Sequence, residues 1–103
     1  MIRVVLTTFG NAEDAARAVR LLVDEQIIAC GTILPGARSI YRWKAAIEDS
    51  EEAVVLLKTS AERFPALEER LRAIHPYETP EIVALDPTAV SKDYADWLLG
   101  CVR

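Results

Sequence analysis

The sequence has a single histidine, His75, and only two cysteines, Cys30 and Cys101, which lie 71 positions apart and form no CxxC pair. A four-ligand Cys/His zinc centre cannot be assembled from one copy of that set. Any metal site must draw on carboxylates or water, or be shared between subunits. Basic residues are also short, twelve against sixteen acidic ones, giving a formal charge of −4. That balance argues against nucleic acid as a partner, because phosphates need a basic footprint. No run approaches the roughly 20 apolar residues of a membrane span, so no membrane partner is expected. The short apolar run at the N-terminus is broken by Arg3 and followed by acids, which does not fit a signal peptide. The expectation is a cytoplasmic protein with reduced thiols, a Cys30–Cys101 disulfide remaining open. Gly-rich phosphate cradles, low-complexity segments, repeats and linkers are all missing.

What is present suits one domain over residues 1–103. Half of the chain (51%) is hydrophobic and 27% is charged, a globular composition. A chain of this size buries roughly 65% of its unfolded surface, enough for one core without a staple. Ile2 to Thr8 is β-branched and apolar and reads as a strand. Asn11 then caps a helix whose apolar positions Ala12, Ala15, Ala16, Val19, Leu22 and Val23 share a face. Strand character returns over Ile27 to Ile33, breaks at Leu34-Pro35-Gly36, and resumes from Ser39 to Lys44. After a tip at Ala45-Ala46, another strand runs from Ile47 to Thr59. Ser60 caps a second helix, which Pro76 stops. Glu81 to Leu85 is a fourth strand, and Ser91 to Leu99 a short terminal helix. The order β-α-β-β-α-β-α predicts an α+β, ferredoxin-like fold: an antiparallel sheet with both long helices on one face.

The central hairpin is unusually long. Arms of 13–15 residues extend on the order of 45 Å at ~3.3 Å per residue, against a radius of gyration near ~13 Å for a 100-residue domain. The tip must project, or curl back onto the helices. A projecting tip leaves Ile40, Tyr41 and Trp43 on an exposed strand edge, which natural sequences avoid unless a partner covers it. A homo-oligomer whose arms pair with neighbouring subunits meets that need.

Chemistry concentrates in His75-Pro76-Tyr77-Glu78-Thr79-Pro80-Glu81. Two prolines stiffen a loop that presents an imidazole, a phenol and two carboxylates, a set suited to a small cation. The alternative is that His75 caps the preceding helix while Glu78 and Glu81 are solvated. Lys58 and Arg42 could hold an anion or carboxylate in a cleft near Tyr77, or could pair with acids across an interface. Tyr94 and Trp97 read as packing anchors. Glu48, Asp49, Glu51 and Glu52 read as a solvated acidic face, with a cation-attracting patch as the alternative.

Several blocks together resemble the CutA divalent-cation tolerance family: Ala29-Cys30, Ile33-Leu34-Pro35-Gly36, Ser39-Ile40-Tyr41-Arg42-Trp43, Leu57-Lys58-Thr59, His75-Pro76-Tyr77-Glu78, Pro80-Glu81-Ile82, and Tyr94 with Trp97-Leu98. The match is colinear from about Val4 to Leu99. The resemblance implies a ferredoxin-like subunit, similar to the PII signal proteins, in a homotrimer joined through its hairpins. It implies binding of divalent cations, copper above all, and a role in metal tolerance. No catalytic activity comes with it. His75 and Cys30 match the family's histidine and cysteine, and with Glu78 are the metal-ligand candidates. Some bacterial members carry a further cysteine where this chain has Thr7, and a further histidine where it has Ile74. A PII-like sensor of a small ligand or anion, using Lys58, Tyr77 and Arg42 without physiological metal, is the alternative.

Overall fold

The computed structural model describes all 103 residues. Its elements are β1 (Ile2–Phe9), α1 (Ala12–Asp24), β2 (Cys30–Trp43), β3 (Ala46–Ser60), α2 (Phe64–Ile74), β4 (Val83–Leu85) and α3 (Lys92–Cys101). The strands form one antiparallel sheet in the order β2-β3-β1-β4. This is the expected ferredoxin-like βαββαβ arrangement with a terminal helix added.

Local chemistry explains where the element ends differ from the expected ones. Ile27 and Ile28 lie in the turn that follows α1, where both backbone amides donate to Leu22 O. β2 therefore begins only at Cys30. It runs through Pro35-Gly36 with a bulge between Leu34 and Ala37. β2 is an edge strand, where a missing N–H costs no ladder bond, and Gly36 takes a positive φ of 77°. Ser60 ends β3, and its Oγ accepts from Arg63 N across a turn, so α2 starts at Phe64.

The sheet has two unlike faces. Val5, Phe9, Ala53, Val55 and Leu57 point toward α1 and α2 and, with Ala15, Leu22, Leu67 and Leu71, make the main core. Gly31 lies here because a Cβ would stand 2.8 Å from Val19 Cγ1. Alternation sends the intervening residues to the other face. The register places Val4, Leu6, Leu34, Val54, Leu56, Val83 and Leu85 there together. α3 covers one end of this face, Leu98 packing on Ile2 and Ala29. The rest is uncovered: Leu34, Val83 and Leu85 are 48%, 43% and 49% exposed.

The β2–β3 hairpin does project, and the molecule is 44 Å along its longest axis against 21 Å along its shortest. Its tip is a two-residue turn at Lys44-Ala45, closed by the Trp43–Ala46 pair, and not the expected Ala45-Ala46. Both turn residues have positive φ, 50° and 68°, the geometry of a type I′ turn. A Cβ is unfavourable there, by about 1 kcal/mol per residue. Ala45→Gly is expected to raise stability by about 0.5–1 kcal/mol, read as a higher urea midpoint at unchanged slope.

Candidate functional site

The loop after α2 runs alongside the hairpin and encloses a cleft of about 610 Å³. Thr8 at the end of β1 and Glu52 of β3 contribute from the sheet, Ser39, Ile40, Tyr41 and Trp43 from β2, and Tyr77, Glu78, Thr79 and Glu81 from the loop. Lys44 Nζ approaches Glu78 Oε1 to 3.6 Å, so the tip touches the loop across the mouth of the cleft.

His75 anchors the loop. It is the C-cap of α2, its amide donating to Leu71 O, but its ring turns inward to the sheet. Nε2 lies 2.7 Å from Thr8 O, and Nδ1 accepts from Tyr77 N at 3.1 Å. A carbonyl can only accept and an amide N–H only donate, so the proton sits on Nε2. The ring also stacks on Phe9 at 4.2 Å. Burial holds the imidazole below its usual pKa, although the Thr8 carbonyl and the Glu52 carboxylate oppose the shift. A neutral, structural histidine results.

Tyr77 carries the loop back toward β3. Its hydroxyl donates to Glu52 Oε2 at 2.6 Å. Burial, then the Glu52 carboxylate, pushes the phenol far above its ordinary range, so it remains a donor. Glu52 is itself only 7% exposed and forms no ion pair. Strand parity separates it from two of its neighbours: Glu52 shares the open face with Val54 and Leu56, whereas Asp49 and Glu51 take the other face, and Glu48, of the same parity, lies exposed near the tip.

The three metal-ligand candidates are not brought together. Glu78 is exposed at the mouth of the cleft, whereas both ring nitrogens of His75 are engaged within the chain. Cys30 lies elsewhere. It pairs with Lys58, four positions along β3 from the Val54 that pairs with Thr8, or about 13 Å at strand rise. Its Sγ is 3.6 Å from Tyr94 Oη, a contact that pushes the Tyr94 phenol upward. No group of three or more His, Cys, Asp or Glu side chains is arranged to hold a metal ion within one chain.

The remaining candidates divide the same way. Tyr77 lines the cleft, but Lys58 donates to Thr32 Oγ1 at 2.7 Å, beside Cys30. Arg42 alternates with Tyr41 and Trp43 and so points to the opposite face of the hairpin. Ile40, Tyr41 and Trp43, expected at a subunit interface, are exposed and line the cleft. On α3 the buried anchor is Leu98, while Tyr94 and Trp97 stay 41% and 50% exposed.

Residues 3–100 match the family described as CutA1 divalent ion tolerance protein. The chain belongs to the CutA1 family. A relative from Thermus thermophilus, named divalent-cation tolerance protein CutA, is 44% identical over 98 residues, 95% of each chain. The solved structure of a Thermus thermophilus Cut A1 superposes with a TM-score of 0.95 at 42% identity over the whole of both chains. A CutA structure from Archaeoglobus fulgidus, described as periplasmic, reaches the same TM-score at 29% identity over the whole of both chains. Membership in the CutA1 family thus extends over the sheet, the hairpin and α3 alike. No helix of this CutA1-family chain is long and apolar enough to cross a membrane.

Proposed function

We propose that the protein is a homotrimeric, cytoplasmic divalent-cation-binding protein of metal tolerance, which binds and does not catalyse. The observation that carries this reading is the cleft, whose lining includes the carboxylates Glu52, Glu78 and Glu81 and no basic side chain, Lys44 reaching Glu78 only at its mouth. Carboxylate and hydroxyl oxygens suit hard divalent ions. Copper, which prefers imidazole and thiolate, binds here with modest affinity, because His75 is engaged and Cys30 is distant. Support for the oligomer comes from the uncovered sheet face, and the number three from the family resemblance. The anion-sensing alternative loses ground, since Lys58 and Arg42 lie outside the cleft.

Calorimetric titration with Mn(II) and Cu(II) tests this. Saturable binding with a dissociation constant of order 10⁻⁴ M is expected for Mn(II), a value typical of weak oxygen sites. Glu52→Gln should weaken it, whereas a Cys30→Ala variant should bind as the parent does. Absence of a saturable signal with either ion would overturn the reading.

A further inference from the structure

Residues 76–82, between α2 and β4, form no helix or strand, and their backbone bonds to no other backbone group. The one hydrogen bond their backbone makes runs from the Tyr77 amide to Nδ1 of His75. Two side chains add to the hold, Tyr77 Oη on Glu52 and Glu78 on Lys44 at the mouth of the cleft. The second is an exposed ion pair, which contributes little. This wall of the cleft therefore depends on Tyr77, through its amide and its hydroxyl.

The amide bond exists in only one protonation state. A neutral imidazole donates from one ring nitrogen and accepts at the other, whereas an imidazolium donates from both. His75 uses both neutral roles, Nε2–H toward Thr8 O at 2.7 Å and Nδ1 from Tyr77 N at 3.1 Å. A proton added at Nδ1 keeps the Thr8 bond, strengthened by charge, and sets two N–H groups against each other at Tyr77. Turning the ring over gives no relief, since the cation has a donor on either side.

The surroundings leave this choice to His75. β1 presents the Thr8 carbonyl and the Phe9 ring, and α2 the Leu71 carbonyl, already taken by the His75 amide. On α1, Asp14 bears on Tyr77 and is paired with Arg17. Glu52 of β3 is the charged group that acts on the imidazole. Burial nevertheless outweighs the Thr8 carbonyl and the Glu52 carboxylate, so the ring titrates below its ordinary 6.5.

We infer that His75 is a proton-operated latch: neutral, it fastens residues 76–82 as a wall of the cleft; protonated, it stays on β1 and releases the loop at Tyr77. The Tyr77 hydroxyl, still on Glu52, is then the tether on which the segment moves. The latch needs no metal and stands whether or not the cleft takes a cation.

His75 is the only histidine, so its titration can be followed without ambiguity. In chelator-treated buffer, two signals are recorded by NMR from about pH 7.5 to about pH 5: the ring ¹⁵N shifts of His75, and the hydrogen-exchange protection of the Tyr77 amide, corrected for intrinsic rate. Tyr77 protection is expected to fall at least about tenfold with the midpoint of the ring, while the Leu56 and Leu57 amides of β3 keep theirs. His75→Gln, whose side chain donates and accepts but does not titrate, should hold Tyr77 protection level. Tyr77→Phe keeps the amide and removes the tether, and should deepen the fall. Should His75→Gln fail to give a native circular-dichroism spectrum, Tyr77→Phe decides, a fall no larger than the parent's counting against the latch. Tyr77 protection that stays constant through the ring's titration overturns the inference, as does a ring still neutral in the native protein at the acid end. Loss of β3 protection at the same midpoint means that the whole protomer unfolds, and overturns it too.

Discussion

Leu56→Glu is expected to turn the proposed trimer of three times 11.4 kDa into an 11.4 kDa monomer. Leu56 sits midway along β3, between Leu6 of β1 and Thr32 of β2, on the face turned away from α1 and α2. The main core lies on the other side of the sheet, so the substitution leaves the protomer's own packing intact. In an assembled trimer the same carboxylate is buried among Val4, Val54 and Val83 of its own sheet and whatever apolar surface covers them. Burying an ionised carboxylate without a partner costs several kcal/mol. The cost recurs once per protomer, so a substitution of one residue acts three times on the assembly. Light scattering at micromolar protomer concentration measures the mass, and far-UV circular dichroism checks that the fold persists. A monomeric parent would remove the trimer altogether. An oligomeric Leu56→Glu variant would move the interface off the sheet face and onto the hairpin arms alone.

That face was legible in part. The run Ala53-Val54-Val55-Leu56-Leu57 is apolar on both faces of its strand, and such runs are covered on both sides. Two helices on one face leave the other needing cover. The hairpin arithmetic led to the same partner by another route, through the projecting residues Ile40, Tyr41 and Trp43. Element order was readable for the usual reason: alternation, caps and prolines act over a few residues. Glu52 was misread because composition groups it with Glu48, Asp49 and Glu51, whereas parity separates it from Asp49 and Glu51 and the reach of Tyr77 separates it from Glu48. The identity of His75 as the loop's distinctive residue was plain. Its role was not, because the atom that decides it, the Thr8 carbonyl, is 67 positions away in sequence. Such pairings exist only once β1 and the loop are brought together by the sheet.

His75→Ala is accordingly expected to act on folding and not on cation affinity. The substitution leaves Thr8 O and Tyr77 N without their ring partners and removes an aromatic surface stacked on Phe9. An orphaned buried polar group costs about 1–3 kcal/mol, and a cavity from aromatic truncation adds to it. A loss of about 3 kcal/mol is expected, read as a fall in the urea midpoint at fixed protomer concentration. Mn(II) affinity of the variant that remains folded should stay within about twofold of the parent, because a ring with both nitrogens engaged is no ligand. A Cu(II) isotherm abolished at unchanged stability would contradict this and return His75 to the metal site. The pH dependence gives an independent check with a definite sign. Burial lowers the folded-state pKa of His75 beneath its ordinary value of 6.5, so the unfolded chain takes up the proton first. The stabilisation is complete above pH 6.5 and is lost as the pH falls through 6.5 toward the lower folded value. Glu25 and Asp49, whose carboxyls are held low chiefly by hydrogen bonds from Arg70 and Arg38, lose their pairing only below their ordinary values of 4.5 and 3.8. The interval between pH 6.5 and 5 therefore isolates the histidine. Unfolding midpoints of the parent should drop across that interval, while those of a His75→Gln variant, which keeps a donor for Thr8 O and has nothing to titrate there, should stay level.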